Sequence, residues 1–265
     1  MTIAENNIWL EHQGEGPLFA TAIHAGHNVR GELLPFLALD ESVRLREEDP
    51  YTDQWVRVVP GWIVMTRSRF EVDLNRERDE AVYRTPEMAW GLHLWKAPLS
   101  NEQIEHSIEE YDAFYNELEV LLSKLASHFK RFVIFDLHTY NYRRKGPEGP
   151  PADPLENPEV NVGTGTLDRI LCGRVVERFI ADLRKFNFLG RHLDVRENVK
   201  FEGRQLARWI HEKFPDSACV LSVEFKKFFM DEWTGEADEE QIQAIRDALS
   251  STIPGIIEEL NTIED

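Results

Sequence analysis

Four short runs rich in β-branched and aromatic residues do most to limit what this chain can become. They are Leu18–Ile23, Trp62–Met65, Phe132–Phe135 and Cys219–Val223, and each is long enough for a buried strand but too short for a core helix. Helical spacing lies between several of them. Ile104, Ile108, Tyr111, Phe114, Leu118, Leu121 and Leu125 form one apolar stripe over 101–129, which predicts a packing helix with Tyr111 and Tyr115 in the core. Helices are also expected over 167–186, from Gly203 to Phe214 with Arg204 in its first turn, and over 242–260, the last broken near Ser250–Pro254. Strands alternating with helices predict an α/β fold: a mostly parallel or mixed central sheet flanked by helices. With no long linker, repeat or low-complexity tract, residues 1–265 read as a single domain.

The run at 132–135 is followed at once by Asp136-Leu137-His138. Ligands and catalytic groups of open α/β sheets collect at the carboxyl ends of strands. A histidine there can face a crevice, with an acidic neighbour to orient its ring. An ordinary Asp–His pair closing a strand is the bland alternative. His24-Ala25-Gly26-His27 stands in the same relation to the first run, where small residues permit close backbone approach. A surface turn with two polar rings would look the same.

The acidic stretch Glu41–Tyr51 reads as a solvated helix stopped by Pro50. Thr52 reads as the cap of the next helix, and Asp53 as either a first-turn acid or a metal carboxylate. Ser68–Arg76 alternates Phe70, Val72 and Leu74 with Arg69, Glu71, Asp73 and Asn75, the pattern of a half-buried strand at an edge or a cleft. Arg76 suits a carboxylate, because guanidinium offers two parallel donors. Arg143-Arg144-Lys145 opens a Gly- and Pro-rich stretch to Pro158 that reads as a surface rim or lid, and Arg143 is a further candidate for a substrate carboxylate. The glycines of 161–166 lack the lysine of a nucleotide-binding loop. Glu224 interrupts the last apolar run. A buried carboxylate there needs a hydrogen bond, cation or metal, which makes it a candidate general base, whereas on an edge strand it would face water.

Composition narrows the partners. A formal net charge of -18 argues against nucleic acid and anionic membranes, while a local arginine cluster still permits an anionic small substrate. Two cysteines without CxxC spacing argue against a disulfide framework or a cysteine-rich metal site. Neither a leader pattern nor a span of transmembrane length is visible, so a cytoplasmic location is the expectation.

Taken in order, Ile23-His24-Ala25-Gly26-His27, Thr52-Asp53-Gln54-Trp55, Ser68-Arg69 with Val72–Arg76, Phe135–His138 and Ser222–Phe225 resemble the N-formylglutamate amidohydrolase family, within the wider zinc carboxypeptidase-like group. The likeness spans most of 18–235. It implies a hydrolase with one zinc ion per chain, held by His24, His138 and a carboxylate. In the carboxypeptidase and aspartoacylase branches that carboxylate is a glutamate three residues after the first histidine, a position that is His27 here. The third ligand therefore lies between Asp53 and His27, with Asp53 favoured by the acidic–Trp match. The resemblance further implies Glu224 as general base, Arg69 as a stabiliser of the oxyanion, and Asn75-Arg76 as receiver of a substrate carboxylate. The implied substrate is a carboxylate-bearing N-acyl amino acid, N-formyl-L-glutamate first. Another N-acyl or amidino amino acid or a small peptide is the alternative, and an inactive metal- or ligand-binding module is the reading from a different class. Oligomeric state is not legible.

Overall fold

The computed structural model describes residues 8–262; positions 1–7 and 263–265 of the span expected to be one domain lie outside the described residues. Seven strands form one mixed sheet in the order β1-β3-β2-β4-β7-β5-β6. They are β1 (Trp9–His12), β2 (Leu18–Ala22), β3 (Gly61–Met65), β4 (Phe132–Tyr140), β5 (Val160–Gly163), β6 (Val195–Glu197) and β7 (Ala218–Lys226). The four central strands β3, β2, β4 and β7 run parallel. Antiparallel pairing brings in β1 beside β3 and β5 beside β7, and β6 lies parallel to β5. The anticipated mixed α/β sheet is therefore present, with antiparallel members towards both edges.

Strand alternation sorts the core into two layers. Val133, Phe135 and Leu137 of β4, with Cys219, Leu221 and Val223 of β7, pack beneath α4 (Arg169–Lys185) and α6 (Glu239–Asn261). Phe132 and Ile134, with Ala218 and Val220, pack beneath α3 (Asn101–His128) and α5 (Gln205–Lys213). α3 carries the expected stripe, and its start is a capping box in which Ser100 and Gln103 satisfy each other's backbone N–H groups. Tyr111 and Tyr115 are core residues, their hydroxyls donating to the carbonyls of Arg76 and Leu74 at 2.9 and 2.6 Å.

Several local expectations are overturned. The acidic helix α1 ends early, at Glu41–Glu47, and Glu47, Glu48 and Asp49 are buried rather than solvated. Thr52 is the first residue of α2 (Thr52–Trp55), not its cap, and its hydroxyl donates to the Asp49 carbonyl at 2.7 Å. Residues 68–76 form turns, not a strand; Glu71 and Asp73 are as buried as Phe70 and Val72. Both acids find cations inside, Arg30 at 2.6 Å from Glu71 and Arg69 at 2.8 Å from Asp73, so no solvated face is left for alternation to report. Arg204 stands just outside α5 as its N-cap residue. α6 continues through Pro254, which lacks an N–H to donate but sits in a helix anchored by Ile245, Leu249 and Ile256. Among the described residues, no helix is long and apolar enough to cross a membrane.

Trp55 ties the segment after α1 to this frame. Its ring is fully buried against Phe225 and Phe229, with centroids 5.2 and 5.0 Å away, and its Nε1–H donates to the Ile242 carbonyl at 3.1 Å. Trp55→Ala is expected to destabilise the protein by about 3–5 kcal/mol, the usual cost of emptying an aromatic core site. Trp55→Phe should cost less, since most of the packing survives. Urea denaturation with an unchanged slope is the check.

Candidate metal centre and its cleft

Along one face of the sheet the side chains change from apolar to polar toward the carboxyl ends. Phe132 and Ile134 give way to Asp136 and His138 on β4, and Ala218 and Val220 to Ser222 and Glu224 on β7. Register sets Thr21, Asp136 and Ser222 in one row and His138 beside Glu224 in the next. Chain order and spatial order part company at this point, since β2 lies between β3 and β4, the crevice position in open α/β sheets.

His24 follows β2 directly. Gly26 lets this turn lie against the end of β3: a Cβ there would stand 2.3 Å from the Arg67 carbonyl oxygen. The two imidazoles end 5.0 Å apart between ring centroids. Asp49 completes the group, its Oδ2 3.0 Å from His138 Nδ1 and 3.4 Å from His24 Nδ1, and Thr139 donates to Oδ1 at 3.1 Å. All three residues are at least nine-tenths buried, and one donor atom from each lies within 4.8 Å of the others. The opposite ring nitrogens meet carboxylates: His24 Nε2 lies 2.8 Å from Asp73, and His138 Nε2 lies 3.1 Å from Asp136. Those contacts favour the proton on Nε2 and leave both Nδ1 lone pairs for a shared ligand.

This arrangement fits a metal ion. His24 Nδ1 is buried without a hydrogen-bond partner, and two imidazoles with one carboxylate are a familiar transition-metal donor set. Burial alone would push the acids up, yet Asp49 is held below the usual carboxylate range by the two histidines, Asp136 by His138 and Thr21, and Asp73 by Arg69, His24 and Tyr83. Glu224 goes the other way. Burial, reinforced by the nearby Asp49 and Asp136 charges, raises it to about 7 against the pull of His138.

The cleft above the triad is lined by Glu224, Arg69, Asn75, Trp90, Asn141, Arg144, Arg204 and Lys227, among others. Arg69 pairs with Asp73 at 2.8 Å and stacks on Trp90, 4.8 Å from the ring centroid. Lys227 is buried and donates to the carbonyls of Arg46 and Glu48 at 2.5 and 2.7 Å, gripping the backbone beside Asp49.

Four expected residues are elsewhere. Asp53 does not join the grouped donors: α2 turns Thr52 and Trp55 inward, and burial raises the Asp53 carboxyl against the pull of nearby Arg57. Its place is taken by Asp49, four residues earlier. His27 points away, with its ring between Glu48 and Arg44. Arg76 does not line the cleft; it donates to the Met88 carbonyl at 3.2 Å and lies over Tyr83. Arg143 pairs with Asp231 at 3.0 Å outside the cleft. Asp49 was hidden by its surroundings, because an acid among Glu47, Glu48 and Pro50 reads as surface. The one signal for it was its place just past a helix end, where a carboxylate can leave the helix surface. Asp49→Asn should lower metal content below about one ion per chain, and Asp53→Asn should leave it unchanged, read by elemental analysis of folded protein.

The sequence from 16 to 228 matches the family model described as N-formylglutamate amidohydrolase. Among solved structures, the chain is similar to an N-formylglutamate amidohydrolase from Ralstonia eutropha JMP134, with a TM-score of 0.73 and 16% identity over 96% of this chain and 98% of that one. It is also similar to a gene product of Agrobacterium tumefaciens, with a TM-score of 0.67 and 16% identity over 95% of this chain and 93% of that one. No curated protein sequence matches it. At such identity the structures speak for the fold alone, and the family assignment rests on the sequence match, which takes in β2, β3, β4 and β7 with His24, Asp49, His138 and Glu224. This chain belongs to the N-formylglutamate amidohydrolase family.

Proposed function

We propose that the protein hydrolyses the amide bond of an N-acyl amino acid with one zinc ion held by His24, Asp49 and His138, and that N-formyl-L-glutamate is the preferred substrate. The observation that carries this reading is Glu224: a half-buried carboxyl, raised to about 7, in register with His138 and facing the same cleft as the three donors. A structural acid would be paired. Glu224 has no ion pair among the described residues, and the raised value suits a group that both takes and gives a proton near neutrality. Two imidazoles and one carboxylate favour zinc over magnesium or calcium, which prefer all-oxygen sets.

A zinc ion in such a site supplies Lewis acidity, polarising a carbonyl and acidifying water. The remaining work falls to side chains. Ionised Glu224 takes a proton from the attacking water as its oxygen bonds to the acyl carbon. Protonated Glu224 then delivers that proton to the departing nitrogen as the C–N bond breaks, giving formate and L-glutamate. Arg69, locked between Asp73 and Trp90, offers a fixed cation to the oxygen that gains charge. Asn75 accepts from the Leu206 N–H through Oδ1 at 3.2 Å, which leaves its amide hydrogens for the substrate's α-carboxylate.

Glu224→Gln is expected to keep its zinc and lose roughly 10²–10⁴ in turnover, the usual worth of general acid–base assistance. Steady-state kinetics on N-formyl-L-glutamate, with metal content measured in parallel, is the test. Near-normal turnover in folded Glu224→Gln protein would remove the proton-shuttle role.

A further inference from the structure

The cleft holds four cations, and three are already engaged. Arg69 is paired with Asp73, Arg144 with Glu47 at 3.1 Å, and Lys227 with two backbone carbonyls. The fourth, Arg204, makes no side-chain hydrogen bond or ion pair among the described residues, although it lines the same cleft.

The backbone that delivers Arg204 is tightly built. Asn161, fully buried on β5 opposite Glu224, accepts from the N–H groups of Val199 and Lys200 at 3.0 and 2.9 Å and donates to the Phe201 carbonyl at 2.8 Å. Phe201 packs edge-on against Tyr140, with centroids 5.5 Å apart. Gly203 then turns the chain at φ +92, where a Cβ would stand 3.3 Å from Ser222 Oγ, and Gly163 allows the close approach, since a Cβ there would meet Gly203 N at 2.6 Å. Asn75 fixes the first turn of α5 just beyond. This segment fixes where the exposed Arg204 side chain starts, so that only its own rotamers remain to be ordered by a ligand. A second sign of a polar ligand is Asn141, which lines the cleft and is buried with its Oδ1 unpartnered.

We infer that Arg204 is the specificity-determining residue of the cleft and receives the side-chain carboxylate of an acidic amino-acid portion of the substrate. This rests on the proposed amide hydrolysis. Arg69 and Asn75 lie deeper, beside the Asp73–His24 contact, and suit the groups next to the scissile bond. Arg204 stands further out, at the rim, where a carboxylate on a longer arm would reach. Its planar fork matches a carboxylate with two parallel hydrogen bonds.

The test compares wild type, Arg204→Ala and Arg204→Lys on N-formyl-L-glutamate, N-formyl-L-glutamine and N-formyl-L-isoglutamine, the last with its α-carboxyl amidated. Calorimetric binding of L-glutamate, L-glutamine and L-isoglutamine is measured alongside. Arg204→Ala should lower kcat/KM for N-formylglutamate about 10–100-fold, mainly through KM, as a lost charge-assisted hydrogen bond does. The isoglutamine compound should lose as much and the glutamine compound almost nothing, with Arg204→Lys between. An unchanged glutamate-to-glutamine ratio in Arg204→Ala overturns the assignment, as does a loss that follows the α-carboxylate. If wild type cleaves none of the three, the hydrolase reading fails on its own. The binding series then decides Arg204: selectivity for glutamate and isoglutamine over glutamine that vanishes in Arg204→Ala supports it, and indifference to the substitution overturns it.

Discussion

The structure turns on one buried carboxylate, Asp49, lying between two imidazoles. Taking that charge out of water is costly, and nearby cationic or hydrogen-bonding groups must offset it. His138 and His24 approach one oxygen and the Thr139 hydroxyl the other. Its backbone is held as firmly as its side chain. Thr52 donates to its carbonyl, Lys227 to the carbonyls of Arg46 and Glu48, and the Asp49 N–H donates to the His24 carbonyl at 2.9 Å. The acids before it are handled separately: Glu47 faces Arg46 and Arg144, and Glu48 meets Arg44, His27 and Ser68. Three successive buried acids are tolerated because each draws on a different set of partners.

The same principle extends to the rings. Each histidine has a carboxylate behind it, Asp73 for His24 and Asp136 for His138. Such contacts fix the tautomer and the ring angle, and so decide what the inward nitrogens can hold. Asp73 does more, since it also takes hydrogen bonds from Arg69, the Tyr83 hydroxyl and the Asn75 N–H. One acid thus links a donor for the metal, a cation of the cleft and the amide that caps α5. Mutating it would disturb several parts at once, which distinguishes it from Arg204, whose side chain makes no hydrogen bond or ion pair among the described residues.

The cleft is mixed in charge, unlike the acidic balance of the whole chain. Solvent and salt screen the remote acidic excess, so the groups lining the cleft, the cations Arg69, Arg144, Arg204 and Lys227 and the acids Glu47, Asp49 and Glu224, set what a small ligand meets. Net charge therefore speaks to macromolecular partners and little to the small molecule.

Much of the fold was legible in the amino-acid order, because strand and helix periodicity are local properties. The four apolar runs became β2, β3, β4 and β7, and the stripe over 101–129 became α3. His24, His138 and Glu224 stood out for a local reason as well: each is a polar residue at the end of an apolar strand, where a parallel sheet gathers its strand ends. The other half of the site had no such signature. Asp49 sits in an acidic stretch that resembles surface, and only the pairing of β2 with β4 brings two imidazoles to it across 25 and 89 positions of chain. Arg76 and Arg143 read as carboxylate receivers from composition, yet tertiary packing gave them to Tyr83 and Asp231 and turned Arg204 into the cleft. A guanidinium is the same group wherever it occurs in a sequence. Whether it is spent on a neighbouring acid or left for a ligand depends on which charges the folded chain sets beside it.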